Sequence, residues 1–137
     1  MKVRILTHEK LVDELDAISI TVMTTDGQIT VLPGHIHLFA PLKTGELTIK
    51  TTDNQIYLMA LSGGFIDVNT TEVRILADFA RKADDVDELA MQKAIEDAKK
   101  AIEDAKDEQE FSFHQGEMER AMLSLETANK WRKLEKV

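Results

Sequence analysis

The sequence predicts an α+β protein organised by segment, in which an N-terminal antiparallel β-sandwich is followed by a C-terminal antiparallel α-helical hairpin. Five of the six glycines and both prolines lie before position 65, and these residue types mark tight turns. Apolar residues alternate with polar ones in the first part of the chain but recur at three- and four-residue steps in the second. These periods are typical of strands and helices respectively. We place the domain boundary between residues 1–84 and residues 85–137.

The strands of the sandwich are predicted from short alternating stretches. Apolar, often β-branched residues alternate with polar ones, which gives each strand one buried and one exposed face; the clearest stretches are residues 2–5, 18–22, 47–50 and 73–75. Turn-forming residues separate them at 25–27, 32–34, 43–45, 53–54, 62–64 and 69–70. Because no helical pattern interrupts this series, an antiparallel sandwich or barrel is favoured over a parallel sheet.

The helical hairpin is predicted from about Asp84 onward. The first helix carries an apolar stripe formed by Met91, Ala94, Ile95, Ala98, Ala101, Ile102 and Ala105. The stripe of the second helix consists of Met118, Ala121, Met122, Leu125 and Ala128. We expect residues 107–110 to form the connection, and Ser112 with Gln115 to form a capping box. An alanine-rich seam buries little apolar area, so the hairpin is predicted to be a movable element.

Composition and charge exclude several classes of protein. The chain has 137 residues, a formal charge of −8 and no cysteine. Phosphate backbones repel an acidic chain, which argues against nucleic acid as a partner, and disulfide or thiol chemistry is excluded. No apolar run approaches the roughly 18–20 residues that span a bilayer, and residues 1–5 do not resemble a signal peptide. We therefore expect a cytoplasmic protein without direct membrane insertion.

The sequence offers little for catalysis, and we predict that the chain is not an enzyme and has no cofactor. Ser62 lacks the glycine two positions earlier that a nucleophile elbow requires. His35 and His37 alternate on one predicted strand face, but no acid or cysteine stands near them to complete a metal site. The acidic run at 84–88 lacks the spacing and the glycine of a calcium loop. No glycine-rich phosphate loop is present.

The C-terminus is basic within an acidic chain, with cations at Lys130, Arg132, Lys133 and Lys136. Cations near the end of a helix are expected from the helix dipole alone. The functional alternative is a basic tip that binds an acidic surface on a partner. The sequence leaves both explanations open.

Four motifs in register resemble the epsilon subunit of F-type ATP synthases. Residues 27–35, Gly-Gln-Ile-Thr-Val-Leu-Pro-Gly-His, are similar to the family signature Gly-Glu-x-Gly-Ile-Leu-Pro-Gly-His. Residues 43–47 resemble its Lys-Pro-Gly-Glu-Leu turn, and residues 61–68 resemble its Val-Ser-Gly-Gly-Phe-x-Glu-Val strand pair. Residues 73–78 resemble the last strand before its helices. The resemblance covers essentially the whole chain.

This resemblance implies a non-catalytic rotor subunit of a proton-translocating ATP synthase. The sandwich would bind the gamma subunit and the membrane ring of c subunits, and would thereby couple ring rotation to the catalytic head. The hairpin would lie beside the sandwich, or extend along gamma and inhibit ATP hydrolysis at the beta subunits. The complex would place the chain peripherally, at the cytoplasmic face of the bacterial cell membrane.

The resemblance also implies contact residues. Candidates for the ring and stalk contact are Gln28, Leu32, His35 and His37. Candidates for the inhibitory helix are Arg120, Lys130, Arg132 and Lys133. The chain departs from the family at three of the relevant positions: Gln28 replaces a glutamate, His37 replaces a proline, and Pro41 stands where alanine is common.

Some relatives bind ATP through an Ile/Leu-Asp-x-x-Arg-Ala motif. Here Val86 and Asp87 match its start, but Ala90 stands in place of the arginine, so the triphosphate lacks a charge-assisted partner. Arg81 is the nearest candidate substitute. We predict weak or absent ATP binding. Two other functions remain as alternatives to the rotor subunit. The chain could be a nucleotide-sensing regulatory module, or a sandwich-plus-hairpin scaffold of another complex.

Overall fold

The computed structural model describes residues 1–35 and 37–135, and it confirms the predicted fold class. The chain forms two compact units, Met1–Lys82 and Ala83–Val137. The described residues of the first unit form nine strands: β1 (Lys2–Leu6), β2 (Leu11–Thr24), β3 (Gly27–Val31), β4 (Leu38–Pro41), β5 (Gly45–Thr51), β6 (Ile56–Ser62), β7 (Phe65–Val68), β8 (Glu72–Leu76) and β9 (Phe79–Lys82).

The long strand β2 belongs to both layers of the sandwich. Its first half pairs with β1, in a sheet of order β4-β7-β8-β1-β2. Its second half pairs with β3 and β5, in a sheet that continues through β6 to β9. The register shifts between Ala17 and Ser19, where the strand passes from one sheet to the other. Such a bulge increases the local twist and lets one strand serve two layers.

One strand pair departs from the predicted antiparallel arrangement. β1 and β8 are parallel, with Val3 opposite Val73 and Ile5 opposite Ile75. Parallel neighbours need a long crossover connection, and almost the whole domain lies between these two strands. Their alternate residues face inward, and Val3, Ile5, Val73 and Ile75 are fully buried.

The interior of the sandwich consists almost entirely of aliphatic side chains. Ile5, Ile20, Leu47, Ile49, Leu61, Ile66 and Ile75 are the largest fully buried ones. Most of them occupy alternate positions on their strands, so the period-two pattern in the sequence marks the buried face. No aromatic side chain belongs to the buried core cluster in the part of the chain that the structure describes.

The turn at Ser62–Gly64 carries the chain from β6 in one sheet to β7 in the other. Gly63 and Gly64 have φ angles of 67° and 100°, a region that side-chain-bearing residues rarely adopt. A Cβ at Gly64 would overlap the Leu76 carbonyl oxygen and lie 2.7 Å from the Ala77 Cα. This glycine pair therefore forms a tight turn between two strands, as the turn-forming residues at 62–64 predicted.

The second unit begins with a short 3-10 turn, Ala83–Asp85, followed by α1 (Glu88–Glu103) and α2 (Glu108–Glu135). The predicted capping box at Ser112 and Gln115 was wrong, and so was the predicted connection. α2 begins at Glu108, because the Asp107 carboxylate accepts a hydrogen bond of 2.8 Å from the Glu110 N–H. An aspartate at the N-cap satisfies a backbone donor that would otherwise lack a partner, and residues 104–107 form the connection.

The buried stripe of α2 also differs from the prediction. Ala121 and Ala128 are buried as expected, but Met122 is exposed, while Ser124 and Thr127 are fully buried. The two hydroxyls donate to the carbonyl oxygens four residues earlier, at 2.7 Å and 2.8 Å. Because these hydroxyls are satisfied within the helix, short polar residues can occupy a close helix–helix seam.

Candidate functional site

The residues predicted to contact the ring and stalk do not form one cluster. Leu32, His35 and His37 lie on the connection between β3 and β4, and Leu32 and His37 are exposed. Gln28 lies next to the β2–β3 turn, opposite Met23, at the other end of β3. At about 3.3 Å per residue, Gln28 and Leu32 are roughly 13 Å apart along the strand. The sandwich therefore offers two separate candidate contacts at its two ends.

The β3–β4 connection has a local structure of its own. The His35 N–H donates to the Leu32 carbonyl oxygen at 3.2 Å, and Gly34 has a φ of 80°. This turn presents the Leu32 side chain outward. Among the residues 1–35 and 37–135, no group of three or more His, Cys, Asp or Glu side chains is placed to hold a metal ion.

An exposed strip of apolar side chains, here called the apolar band, crosses the outer face of the first sheet. Each member is the register partner of the next. In order across the five strands they are Leu11, Leu6, Leu76, Phe65 and Pro41, with Phe39 beside the last two. Strands lie about 4.8 Å apart, so the band is about 19 Å long. Sequence reasoning missed it, because the five strands contribute one or two residues each and only their register aligns them.

The band contains a groove of about 280 Å³, lined by Leu6, Phe39, Phe65, Asp67, Arg74 and Leu76. The rings of Phe39 and Phe65 stack with centroids 5.2 Å apart and planes 18° apart. Phe39 is 67% exposed, Leu76 52% and Leu11 49%. Contiguous exposed apolar side chains on a small protein usually mark an interaction site.

The remainder of this sheet face is charged but internally paired. Lys2 and Arg4 contact Glu14 at 2.8 Å and 3.6 Å, and Arg74 contacts Asp67 at 2.9 Å. The hydrogen bond from the Lys2 side chain is the main cause that lowers the pKa of Glu14 below its ordinary value. The Asp67–Arg74 pair also lines the groove, so the apolar band has a paired acid and base at its edge.

The residues of the degraded ATP motif have structural roles. The Asp87 carboxylate accepts a 3.2 Å hydrogen bond from the Ala90 N–H, which makes Asp87 the N-cap of α1. The Val86 N–H donates to the Ala83 carbonyl oxygen at 3.3 Å. Arg81 lies on β9, with its guanidinium 4.9 Å from the centroid of the Phe79 ring. Ala90 is exposed and offers no cation.

The four basic candidates on α2 lie in two places. Lys130, Arg132 and Lys133 lie within the last two turns, whereas Arg120 is ten residues earlier and half-buried. Arg132 donates to the Glu88 carboxylate at 2.8 Å, which joins the last turn of α2 to the first residue of α1. Lys136 lies outside the described residues. Neither described helix has the length and the hydropathy to cross a bilayer.

Comparisons with known proteins agree with this architecture. Residues 1–83 match the family model of the ATP synthase delta/epsilon chain, β-sandwich domain. The chain is 40% identical over 100 residues to the ATP synthase epsilon chain of Bacillus velezensis, which covers 71% of this chain and 75% of the relative. It is 30% identical over 133 residues to the epsilon chain of Alkalilimnicola ehrlichii, covering 97% and 95%.

Solved structures agree as well. A chain of the Euglena gracilis mitochondrial ATP synthase, in a structure of OSCP, F1 and c-ring, matches with a TM-score of 0.72 and 25% identity. The match covers 92% of this chain and 79% of that one. A chain of the Tetrahymena thermophila central stalk and c-ring structure matches with a TM-score of 0.53 at 20% identity, which shows similarity of fold.

Proposed function

The chain belongs to the family of ATP synthase epsilon chains, and from that membership we propose how its two units divide the work of a rotor subunit. It is a non-catalytic rotor subunit of an F-type ATP synthase. The sandwich binds the gamma subunit and the c-ring, and so couples ring rotation to the catalytic head. The hairpin regulates ATP hydrolysis. The complex is proton-translocating and holds the chain at the cytoplasmic face of the bacterial cell membrane.

The apolar band is the observation that carries the proposed gamma contact. A rotor subunit must transmit torque without slipping, which requires an interface with a desolvated centre. The stacked Phe39 and Phe65 rings and the 280 Å³ groove beside them can receive apolar side chains from a partner. Aromatic anchors in well-packed pockets supply most of the binding energy in protein interfaces.

The two ends of the sandwich are assigned to different partners, one to the c-ring and the other to the gamma subunit. We assign the ring contact to the end that carries Gln28, because the resemblance to the epsilon family implies a glutamate facing the ring at this position. A neutral amide there weakens any charge-assisted hydrogen bond to the ring. Leu32, His35 and His37, at the opposite end of β3, are then candidates for the stalk contact with gamma.

The basic end of α2 supports a regulatory role for the hairpin. Lys130, Arg132 and Lys133 place three cations within four positions. When the hairpin extends, these cations meet an acidic surface of the beta subunits and inhibit hydrolysis. A nucleotide-sensing role has weaker support, since Asp87 is engaged as a helix cap and Ala90 has replaced the cation of the motif.

Substitutions in the apolar band test the gamma contact. The full-length Phe39→Ser/Leu76→Ser variant should bind an ATP synthase complex lacking this subunit at least about tenfold more weakly, since loss of central apolar anchors costs more than about 1.4 kcal/mol. Ile56→Ser is the matched control, because Ile56 is exposed on β6, outside the band. Equal affinity of the double variant and the wild type would exclude the band as the contact.

A further inference from the structure

A row of charged side chains, here called the charged row, runs alongside the apolar band on the outer face of the first sheet. The strand register places its members opposite one another across β2, β1, β8 and β7. In that order they are Glu14, Arg4, Arg74 and Asp67. Because side chains alternate between the two faces of a strand and Val73 is fully buried, Arg74 points outward. Strands lie about 4.8 Å apart, so the charged row is about 14 Å long.

The order of charges is unfavourable at the centre of the charged row. Arg4 and Arg74 are direct partners across the parallel pair of β1 and β8, and their acids, Glu14 and Asp67, lie on the far side of each. Like charges directly opposite each other destabilise a sheet. Glu72 approaches Arg4 at 3.4 Å, but the Glu72 Oε1 and the Arg4 Nε have no hydrogen-bond partner among the described residues. The stability of the isolated chain therefore does not explain this order.

Arg74 has hydrogen-bond donors that face the groove of the apolar band. Its Nη2 donates to the Asp67 carboxylate at 2.9 Å, and a guanidinium carries further N–H groups in a planar fork. In the part of the chain that the structure describes, this is the one hydrogen bond of the Arg74 side chain. The side chain is 53% exposed and lines the groove together with Phe65. A partner that occupies the groove can therefore reach N–H groups of Arg74 that Asp67 does not use.

We propose that Arg4 and Arg74 bind a carboxylate of the gamma subunit, which comes from an aspartate or glutamate whose apolar neighbour occupies the groove. A carboxylate over the two guanidiniums offsets their repulsion and accepts charge-assisted hydrogen bonds, which are stronger than neutral ones. It also fixes the position of the partner along the apolar band, because charged contacts set the register of an interface. This inference rests on the proposed gamma contact and names the chemistry of the segment that makes it.

A protein carboxylate is favoured over a phosphate group or a lipid surface. The ion pairs on this face join three bases to three acids. They are Lys2, Arg4 and Arg74, with Glu14, Glu72 and Asp67. Anionic lipid surfaces attract clusters with an excess of lysine and arginine, and a phosphate monoester carries nearly two negative charges. A balanced face with two adjacent arginines suits the single charge of a carboxylate.

Exchanging the members of one ion pair tests the proposal. The double variant Asp67→Arg/Arg74→Asp keeps the net charge and the pair, and it places an acid opposite Arg4. Because acids and bases then alternate along the charged row, the midpoint of urea unfolding should equal or exceed that of the wild type. Its affinity for an ATP synthase complex lacking this subunit should nevertheless fall at least about tenfold, since the partner carboxylate now meets an acid. Lys99→Glu, at an exposed position of α1, is the control and should bind normally.

Chemical crosslinking identifies the partner group. The Arg74→Lys/Asp67→Asn variant carries an amine at position 74 and no longer has the neighbouring carboxylate. In the assembled complex, a carbodiimide should join this amine through an amide bond to an aspartate or glutamate of the gamma subunit. Mass spectrometry of the digested complex locates both ends of the bond.

Several outcomes would contradict the carboxylate site. Wild-type affinity of the exchanged variant would exclude it, as would a marked fall in the unfolding midpoint, which would make the charged row structural. A bond from position 74 to a lipid, to the c-ring or to a second copy of this chain, or no bond at all, would also exclude it. If Phe39→Ser/Leu76→Ser still weakens binding in those cases, the proposed gamma contact stands. Wild-type affinity of that variant as well would exclude the gamma contact itself.

Discussion

Gly34 and Gly64 have similar backbone angles, but they differ in the space that is available for a side chain. Gly34 and Gly64 both have positive φ, but a Cβ at Gly34 would meet nothing within 4 Å, whereas one at Gly64 would overlap the backbone of Leu76. Sequence alone treats both as turn signals. Only the close approach of β8 to the β6–β7 corner distinguishes them.

Substitution by alanine should separate these two positions. Gly34→Ala should lower the free energy of unfolding by about 1–2 kcal/mol, the penalty of a left-handed backbone. Gly64→Ala should lower it by more than about 4 kcal/mol, because the backbone at the corner must move as well. Urea denaturation followed by circular dichroism measures both values. Similar losses for the two variants would contradict the close packing at Gly64.

Glu14 should titrate abnormally. Its pKa is lowered chiefly by the hydrogen bond from Lys2, so the folded chain holds this carboxylate ionised to lower pH than the unfolded chain does. The resulting stabilisation is present above the unfolded-state pKa and is lost as the pH falls through the folded-state value. An NMR titration should show a low midpoint for Glu14 that Lys2→Met raises and Lys10→Met leaves unchanged. A midpoint insensitive to Lys2→Met would contradict this assignment.

Ala90 stands where the ATP-binding motif of some relatives has an arginine, and this difference should weaken ATP binding. With Ala90 in place of a cation, we expect calorimetry to detect no ATP binding at micromolar concentrations. Ala90→Arg restores the missing cation at an exposed position, and a charge-assisted contact worth about 1.5–3 kcal/mol should raise affinity roughly tenfold or more. Micromolar affinity of the wild-type chain would show that another residue, such as Arg81, supplies the charge.

At the scale of elements, the periodicity of the sequence predicted the strands and helices better than it predicted their ends. The alternation at 18–22 indicated a strand, but β2 runs from Leu11 to Thr24, because it serves two sheets. The second helix is capped by Asp107 rather than by Ser112 and begins at Glu108, because the Asp107 carboxylate accepts the backbone N–H of Glu110. The apolar pattern did not predict that Ser124 and Thr127 are buried, because both are polar. Their hydroxyls are hydrogen-bonded within the helix, so these small side chains can be buried between the two helices.

Candidate contact residues can be proposed from the sequence one by one, but the surfaces to which they belong cannot. The motif at 27–35 indicated Gln28 and His35, yet the chain passes the full length of β3 between Gln28 and the loop that carries His35. The apolar band depends on the register of five strands, including the parallel pair β1 and β8. A pairing that joins residues 70 positions apart leaves no local signal in the sequence.

The contact between Glu88 and Arg132 should stabilise the closed hairpin only slightly. Both side chains are about 40% exposed, so solvent screens the pair, and exposed pairs contribute about 0.2–1 kcal/mol. A double-mutant cycle with Glu88→Gln and Arg132→Gln should give a coupling energy in this range that declines in 0.5 M salt. A coupling above 2 kcal/mol would mean that Arg132 is locked in the hairpin and is unavailable to an acidic partner.

At the scale of the whole molecule, the two units differ in the kind of buried core that each contains. The sandwich has a continuous aliphatic core within residues 1–82. The hairpin buries mainly small side chains, with Ala98, Ala121 and Ala128 among the few fully enclosed ones. A well-packed unit suits a permanent place in the rotor, whereas a thin seam suits an element that changes partners.

The most direct test of this division of labour is ATP hydrolysis by the parent complex, assembled either with the full chain or with a chain that ends at Asp84. The shortened chain should remain bound, because the apolar band and both ends of the sandwich are intact. Hydrolysis should rise by at least about fivefold, the lower range of a regulatory coupling. Loss of binding would contradict docking through the sandwich, and unchanged hydrolysis with binding retained would contradict an inhibitory hairpin.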